Sequence, residues 1–309
     1  METKLVLPSI LLLLGALFLA PNIVPAHAQM TGTVCIISSN SSSCPSSPAT
    51  VVGTAGTQLR VSVFIQGSDA INGFDVTLLA DHTILKPAGS DLAGTVLISP
   101  QTVILECVGG VLVQGSFCSS TDTADTLHFV VAGALGQLTT PPTTGLLFTA
   151  IYNVTADSSG IPLGYQTGCS SSSVSGTTTC VTITNGGPTP VPENVQTAIF
   201  TTEDFSITAQ SSTLVLSRGA QGTSTITLSS LSGFAGTVAL TSSISSAKSH
   251  SPTITLSTTS VTLVSGGSAS LTVTVSTTKN TATVSYTVTI TGTSSSRTHT
   301  VSIAVSVTH

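Results

Sequence analysis

The sequence predicts an all-β protein made of two β-sandwich domains that follow an N-terminal signal peptide, and three observations lead to this prediction. Ser, Thr, Val and Gly dominate, whereas charged residues make up 6% of the chain and aromatic residues 4%, with no Trp. Thr and Val favour strands. No stretch after the signal keeps a 3.6-residue apolar period, and short alternating runs are separated by Gly, Pro, Asn and Ser clusters.

The first 28 residues have the pattern of a secretory signal peptide. Lys4 precedes an apolar run from Leu5 to Ala20, and Ala26-His27-Ala28 is an A-x-A cleavage site, so the mature chain is expected to start at Gln29. The alternative is that the apolar run is kept as an uncleaved membrane anchor. No later run is long enough to span a bilayer, so we expect a secreted or cell-surface protein with no membrane span after cleavage.

The first domain is predicted over residues 29–200. Nine short segments punctuated by turn residues indicate a nine-stranded sandwich of the jelly-roll kind. These segments are Thr33–Ile37, Gln58–Ile65, Gly73–Leu79, Thr95–Ile98, Thr102–Cys107, Thr126–Val131, Leu146–Val154, Cys180–Thr184 and Val195–Phe200.

The segment from Ile71 to Gly94 is the clearest marker of this domain. Phe74, Val76 and Leu78 alternate with more polar residues, which is the period of a strand with one buried face. Asp81 is predicted to lie in the turn that follows. The next segment ends at a proline, which cannot donate to a sheet ladder and is typical of an edge.

The second domain is predicted over residues 205–309, after a linker at 201–204. An internal repeat supports two hairpins of one pattern, because Leu214/Val261 and Ile226/Val273 are each 47 positions apart. The strand candidates are Phe205–Thr208, Thr213–Leu216, Thr223–Leu228, Thr237–Leu240, Thr253–Leu256, Val261–Val264, Ser270–Val275, Val284–Thr291 and His299–Val307. A two-sheet sandwich of about 100 residues fits this pattern.

Charge is divided unevenly between the two halves. From Gln29 to Asp204 there are eleven acidic residues and two basic ones, a net charge of −9. From Phe205 onward there are four basic residues and no acidic one, a net charge of +4. Four dispersed cations do not make the clustered basic face that nucleic acid requires, so we expect no nucleic-acid partner.

The six cysteines form three close couples, all in the acidic half. Each couple brackets a Gly- and Ser-rich loop, and a secreted chain provides the oxidising compartment in which disulfides form. We predict the pairs Cys35–Cys44, Cys107–Cys118 and Cys169–Cys180. Structural zinc is the alternative, but its C-x2–4-C spacing does not occur here.

Few residues suggest a modification, metal or catalytic site. Asn40 and Asn153 lie in N-x-S/T sequons and are predicted glycosylation sites. Asp122 and Asp125 are the nearest approach to a carboxylate pair; a solvated loop is one interpretation and a calcium loop another. No G-x-S-x-G, H-E-x-x-H or P-loop motif is present, so no catalytic residue and no required cofactor is predicted.

Four segments of the first half resemble the cohesin-type domain. They are V-V-G-T-A-G-T-Q-L-R-V-S-V (51–63), I-N-G-F-D-V-T-L (71–78), A-D-H-T-I-L-K-P (80–87) and T-G-L-L-F-T-A-I-Y (144–152). The resemblance implies a nine-stranded jelly roll related to carbohydrate-binding modules, with one sheet face that receives a protein partner.

The second half resembles the immunoglobulin-like accessory domains of secreted microbial surface proteins. The similarity lies in D-F-S-I-T (204–208), in residues 222–240 and in S-V-T-L-V-S-G-G-S-A-S-L-T-V-T-V (260–275). It implies a spacer. Together the two resemblances imply a secreted, non-catalytic binding or adhesion protein that binds an extracellular protein. The alternative is a carbohydrate-binding accessory protein of a polysaccharide-degrading system.

Overall fold

A computed structural model describes residues 30–245, 250–295 and 297–309. The predicted signal peptide, residues 1–28, lies outside the described residues. Those residues form 22 strands and no helix, which confirms the all-β prediction. No helix suited by length and apolar character to crossing a membrane occurs in this part of the chain.

Strands β1 to β13 form two sheets from the first half of the chain. They are β1 (Gly32–Ser38), β2 (Ala49–Gly53), β3 (Gln58–Ser68), β4 (Gly73–Leu79), β5 (Leu85–Asp91), β6 (Thr102–Val108), β7 (Val111–Gln114), β8 (Thr126–Ala132), β9 (Thr143–Val154), β10 (Ile161–Tyr165), β11 (Val181–Thr184), β12 (Glu193–Gln196) and β13 (Ala198–Thr202). One sheet has five strands in the order β12-β1-β3-β9-β5, and the other has eight, in the order β2-β13-β10-β4-β8-β6-β7 with β11 also paired to β4.

The core of this half lies between the two sheets. Phe74 and Phe129 come from the eight-stranded sheet and Phe148 from the five-stranded sheet, and all three are buried. The Phe74 and Phe148 rings stack with centroids 5.3 Å apart, and Phe129 meets Phe148 edge-on at 5.2 Å. Because Val76 and Leu78 are buried in the same cluster, the predicted inward row of β4 is confirmed.

The strand count of this half is thirteen rather than nine. Strands β2, β7 and β10 occupy segments in which no strand is predicted. Strand β5 runs on past Pro87, because a register shift at Gly89, with φ of 146°, lets the ladder with β9 continue. The segment at 95–98 is not a strand, and Thr95 makes only an isolated bridge to Leu146.

The predicted strand at 195–200 is two strands in different sheets. Strand β12 pairs in parallel with β1, and β13 pairs in parallel with β2. Parallel pairing between segments about 150 residues apart depends on the folded arrangement, and a run this short has too little alternation to reveal it.

In the second half, the residues that the structure describes form nine strands, one in each predicted segment. They are β14 (Asp204–Ala209), β15 (Thr213–Ser217), β16 (Gln221–Leu231), β17 (Gly236–Ile244), β18 (Thr253–Leu256), β19 (Ser260–Leu263), β20 (Ser268–Ser276), β21 (Ser285–Ser294) and β22 (Arg297–Thr308). A four-stranded sheet, β14-β16-β20-β18, and a five-stranded sheet, β15-β22-β21-β17-β19, enclose a separate hydrophobic cluster around Phe205. The 47-residue repeat relates β15–β16 to β19–β20.

The chain passes between the two halves almost without a break in strand structure. Of the linker predicted at 201–204, only Glu203 lies between β13 and β14. An ion pair joins the halves, with Arg297 Nη2 placed 2.7 Å from Asp157 Oδ1. A cleft of about 480 Å³ lies beside this pair.

Candidate functional site

The outer face of the eight-stranded sheet, which is the side turned away from the Phe74 core, carries the polar cluster of the first half. Because side chains alternate along a strand, burying Phe129 in β8 turns His128 outward. His128 lies opposite Thr77 of β4 on one side and opposite Cys107 of β6 on the other. The strand register therefore places one histidine at the centre of this face.

Two of the three disulfides border this histidine. Cys107 lies in the neighbouring strand and is bonded to Cys118. On the other side the Thr77 amide donates to the carbonyl of Cys180, which is bonded to Cys169. With Cys35–Cys44, all three predicted pairings are present. The loops that the two disulfides close therefore flank the outer face.

Both ring nitrogens of His128 are hydrogen-bonded to carboxylates. Nε2 lies 2.9 Å from Asp75 Oδ1, and Nδ1 lies 3.0 Å from Asp122 Oδ2. The His128 side chain is 11% exposed and that of Asp122 is fully buried. Burial disfavours the charged ring, but the hydrogen bonds to Asp75 and Asp122 outweigh it and raise the pKa of His128.

This arrangement favours an imidazolium ring that donates from both nitrogens. The Ser119 amide also donates to Asp122, at 2.8 Å. The cluster therefore ties the loop that follows Cys118 to the sheet through a charge-assisted contact. Both nitrogens of His128 are hydrogen-bonded to carboxylates, so neither is free for another partner. We therefore interpret the cluster as holding this loop in position. Local sequence does not reveal this contact, because Asp75 lies 53 positions away and only strand register brings it to the ring.

Asp122 and Asp125, the candidate calcium ligands, contact different histidines. Asp125 Oδ1 accepts from the His82 amide at 2.9 Å and lies 2.7 Å from His82 Nδ1. These hydrogen bonds, first that of the amide, lower the pKa of Asp125. Asp81 is in the predicted turn and accepts from Thr83. The ligand atoms of Asp125 group with those of Asp81 and His82, within 4.8 Å of one another, and not with Asp122.

Two shallow cavities open on the outer face beside His128. One, of about 370 Å³, is lined mostly by hydroxyl groups; its lining residues include Asp75, Ser119, Ser120, Thr121, Ser170, Ser171 and Thr182. The other, of about 730 Å³, is more apolar and includes Ile104 and Phe117. His128 therefore lines both the polar cleft and the apolar hollow.

Phe117 is the functional candidate that sequence reasoning missed. Phe64, Phe74, Phe129 and Phe148 are buried. Phe117, in contrast, is 75% exposed, and its neighbour in the apolar hollow, Ile104, is 54% exposed. The sequence feature that could have identified Phe117 as exposed is its position in a Gly- and Ser-rich loop between two bonded cysteines. No strand alternation requires an aromatic residue there.

Both predicted glycosylation asparagines are exposed and belong to the opposite side of this half. Asn40 lies in the turn after β1, and Asn153 lies in β9. Both strands are in the five-stranded sheet. Glycosylation at either site stays a prediction, and neither asparagine lies on the outer face.

The Cys107–Cys118 disulfide is expected to hold the Phe117 loop in place. Replacing both cysteines by serine should lower the free energy of unfolding by about 2 to 3 kcal/mol and accelerate amide hydrogen exchange across residues 109–123. The matched control, Cys35→Ser with Cys44→Ser, should lose comparable stability in urea unfolding without that local change. Equal exchange across 109–123 in the two variants would contradict this role.

The fold and this face together define an all-β, disulfide-bonded sandwich protein with an exposed aromatic residue beside a buried charged cluster. No protein-family model matches the chain, and no curated protein matches it.

Type II cohesin domains and S-layer protein domains are among its structural neighbours. A type II cohesin domain from the cellulosome of Acetivibrio cellulolyticus is 14% identical, with a TM-score of 0.34 over 55% of this chain and 95% of that one. The type II cohesin dyad of the ScaA scaffoldin of the same organism is 12% identical, with a TM-score of 0.34 over 81% and 78%. Domains 4 and 5 of the S-layer protein SbsC are 21% identical, with a TM-score of 0.27 over 42% of this chain; this chain spans 63% of that fragment.

Proposed function

We propose that the chain is an extracellular, non-catalytic protein-binding module whose contact surface is the outer face of the eight-stranded sheet. The observation that carries this proposal is Phe117, 75% exposed beside Ile104 on a loop held by a disulfide and by Asp122. Exposed aromatic residues on a rigid support are typical anchors of protein interfaces, because they bury a large area at little cost in conformational entropy.

Three disulfides support an extracellular location, because such bonds persist in oxidising compartments. The signal peptide predicted at 1–28 is part of the same proposal. Glycans at Asn40 and Asn153 would cover the side of the five-stranded sheet and leave the outer face free for a partner.

We also propose that the two halves have different roles. Residues 29–200 form the binding domain, and residues 205–309 form an immunoglobulin-like spacer joined to it at 201–204. Separate hydrophobic clusters in the two halves support this division. The ion pair between Arg297 and Asp157 would limit their relative motion.

Carbohydrate binding is the second candidate. The observation in its favour is the hydroxyl-lined cleft, in which the Asp75 carboxylate is 48% exposed, with Phe117 in the adjoining hollow. Hydroxyl and carboxylate groups can hydrogen-bond sugar hydroxyls, and an exposed ring can stack on a sugar face.

Replacing Phe117 by alanine should weaken binding to the protein partner at least about thirtyfold, because an aromatic anchor of an interface is worth roughly 2 kcal/mol or more. The measurement is quantitative capture from the source organism's deglycosylated secreted proteins, followed by the Kd of each purified candidate. Val264→Ala, which alters a similarly exposed side chain of the second half, is the control and should bind as the unaltered chain does. Undiminished capture by Phe117→Ala would refute the protein-binding proposal, and binding confined to polysaccharide would favour the carbohydrate candidate.

A further inference from the structure

Strand β7 is a bare sheet edge. It ends the eight-stranded sheet and pairs with β6 alone. Among the strands that the structure describes, it is the one in which every residue is exposed. Val111 is 66% exposed, Leu112 41% and Val113 60%. Folding of the single chain thus leaves an apolar strand uncovered on both of its faces.

This edge lacks the charged residues and the proline that often prevent strand addition. At the end of the five-stranded sheet, β5 carries Lys86, Pro87, Asp91 and an irregularity at Gly89, all of which discourage pairing with another chain. Strand β7 has no charge and no proline; its ladder with β6 has one register shift, at which Val113 has no partner between the pairs Cys107–Leu112 and Glu106–Gln114. An exposed, apolar edge of this kind is a template for another strand.

The backbone geometry of β7 leaves a donor free. Val108 and Val111 flank the two-residue turn Gly109-Gly110 and are directly paired, so they form the hydrogen-bonded pair of the hairpin. In an antiparallel ladder the next residue, Leu112, then points its amide and carbonyl away from β6.

A second bare edge lies at the far side of the second half. Strand β15 ends its sheet, and Val215 is 73% exposed. The Ser212 carbonyl accepts from Ala304 and the Arg218 amide donates to Thr308, so even-numbered residues face β22. The backbone groups of Val215 consequently point to the free edge.

The charges of the two halves favour pairing between these two edges. The half that carries β7 has a net charge of −9, and the half that carries β15 has +4. Arg218 follows β15 directly, and Lys279 lies beside Gly219. Two acidic halves repel each other, whereas an acidic half attracts a basic one, with a range of about 8 Å at physiological salt.

We propose that copies of this chain associate head to tail, with β7 of one copy adding to β15 of the next. Such a contact is heterologous, because it joins two different surfaces. Each added copy therefore leaves one free β7 and one free β15, and the copies form open chains unless the geometry closes a ring. This association is independent of the proposed function, because it uses the edge of the eight-stranded sheet and not Phe117 on its outer face.

The test is sedimentation velocity of the mature chain over a concentration series at low and high salt. The weight-average mass should rise about twofold or more with concentration at low salt and fall when salt is added. Leu112→Pro and Val215→Pro each remove an amide that points to the free edge, and they leave the hydrogen bonds to β6 and to β22 in place. Each variant alone should stay monomeric. Mixed, they should form a dimer and nothing larger, because one free β7 meets one free β15.

Three results would overturn the proposal. The first is a wild-type chain that stays monomeric at every concentration and salt. The second is a Val215→Pro variant that still dimerises alone, which would indicate symmetric pairing of β7 with β7. The third is a proline mixture without dimer. If a proline variant unfolds, Leu112→Lys and Val215→Lys replace the pair, because a charged edge opposes strand addition. Phe117→Ala should associate as the wild type does.

Discussion

Replacing His128 by leucine is expected to lower the free energy of unfolding of the first half by about 3 to 5 kcal/mol, because it leaves the fully buried Asp122 carboxylate without its charged partner. The contribution of His128 depends on pH. Its pKa is raised in the folded protein, so the stabilisation is fully present below the ordinary value of 6.5 and is lost as pH rises through the folded pKa. Urea unfolding at a series of pH values, with hydrogen exchange in β8 to assign the transition, measures both effects.

Two further variants separate an unpaired charge from a loss of packing. Removing both partners, His128→Leu with Asp122→Leu, should recover much of the stability, since no buried charge is then left unpaired. His299→Leu is the matched histidine control; its partner Asp204 is more exposed, and the loss of such a pair should cost under about 1 kcal/mol. Equal losses for His128→Leu and His299→Leu would show that the cluster has no special role.

Replacing Glu193 by glutamine is expected to stabilise the first half above neutral pH. Glu193 is 3% exposed. Its Oε1 accepts a hydrogen bond from Ser68, and Oε2 has no partner among the described residues. Burial raises the pKa of Glu193 to about 7 and the nearby Asp69 charge adds to the rise, whereas the Ser68 hydrogen bond and the nearby Gly32 amide oppose it.

The direction of this pH dependence follows from the difference between the pKa of Glu193 in the folded and in the unfolded state. The folded state holds the Glu193 proton up to about pH 7, whereas the unfolded chain releases it near its ordinary value. Stability is therefore fully present below the unfolded pKa and is lost as pH rises through the folded pKa, by up to about 3 kcal/mol. Glutamine stays neutral, so this part of the pH dependence should disappear.

Unfolding free energies between pH 4 and 8 measure the effect. The control is Glu106→Gln, whose carboxylate accepts two hydrogen bonds from Ser90. That replacement should not stabilise the protein, because the glutamine oxygen can still accept both hydrogen bonds but lacks the charge that strengthens them. A Glu193→Gln variant that keeps the wild-type pH dependence would show that Glu193 is ionised in the folded state.

Sequence reasoning worked best where the determinants are local. The nine strands of the second half follow from alternation and turn residues over spans of four to twelve positions. The disulfide pairs follow from cysteines only 9 to 11 positions apart. The inward row of Phe74, Val76 and Leu78 follows from a two-residue period. In each of these, the residues that decide the structure lie within one segment of the chain.

Most of the features missed in the first half depend on partners far away in the chain. Strand β7 is the local exception: it pairs with the adjacent β6, but its four residues are too few to show alternation. The pairing of β13 with β2 joins segments about 150 residues apart. Phe117 could not be separated from core phenylalanines by composition, because only the folded loop shows that nothing covers it.

The amino-acid sequence by itself determined that this chain is an all-β protein with three local disulfides and two halves of opposite charge, since these are properties of composition, short-range alternation and spacing. Only the tertiary structure decided that His128 lies between Asp75 and Asp122, that Phe117 is exposed above the same sheet, and that β7 and β15 are bare edges. The physical reason is that strand register and sheet order arise from hydrogen bonds between distant segments, and a change of one position in register would turn His128 or Asp75 to the other face.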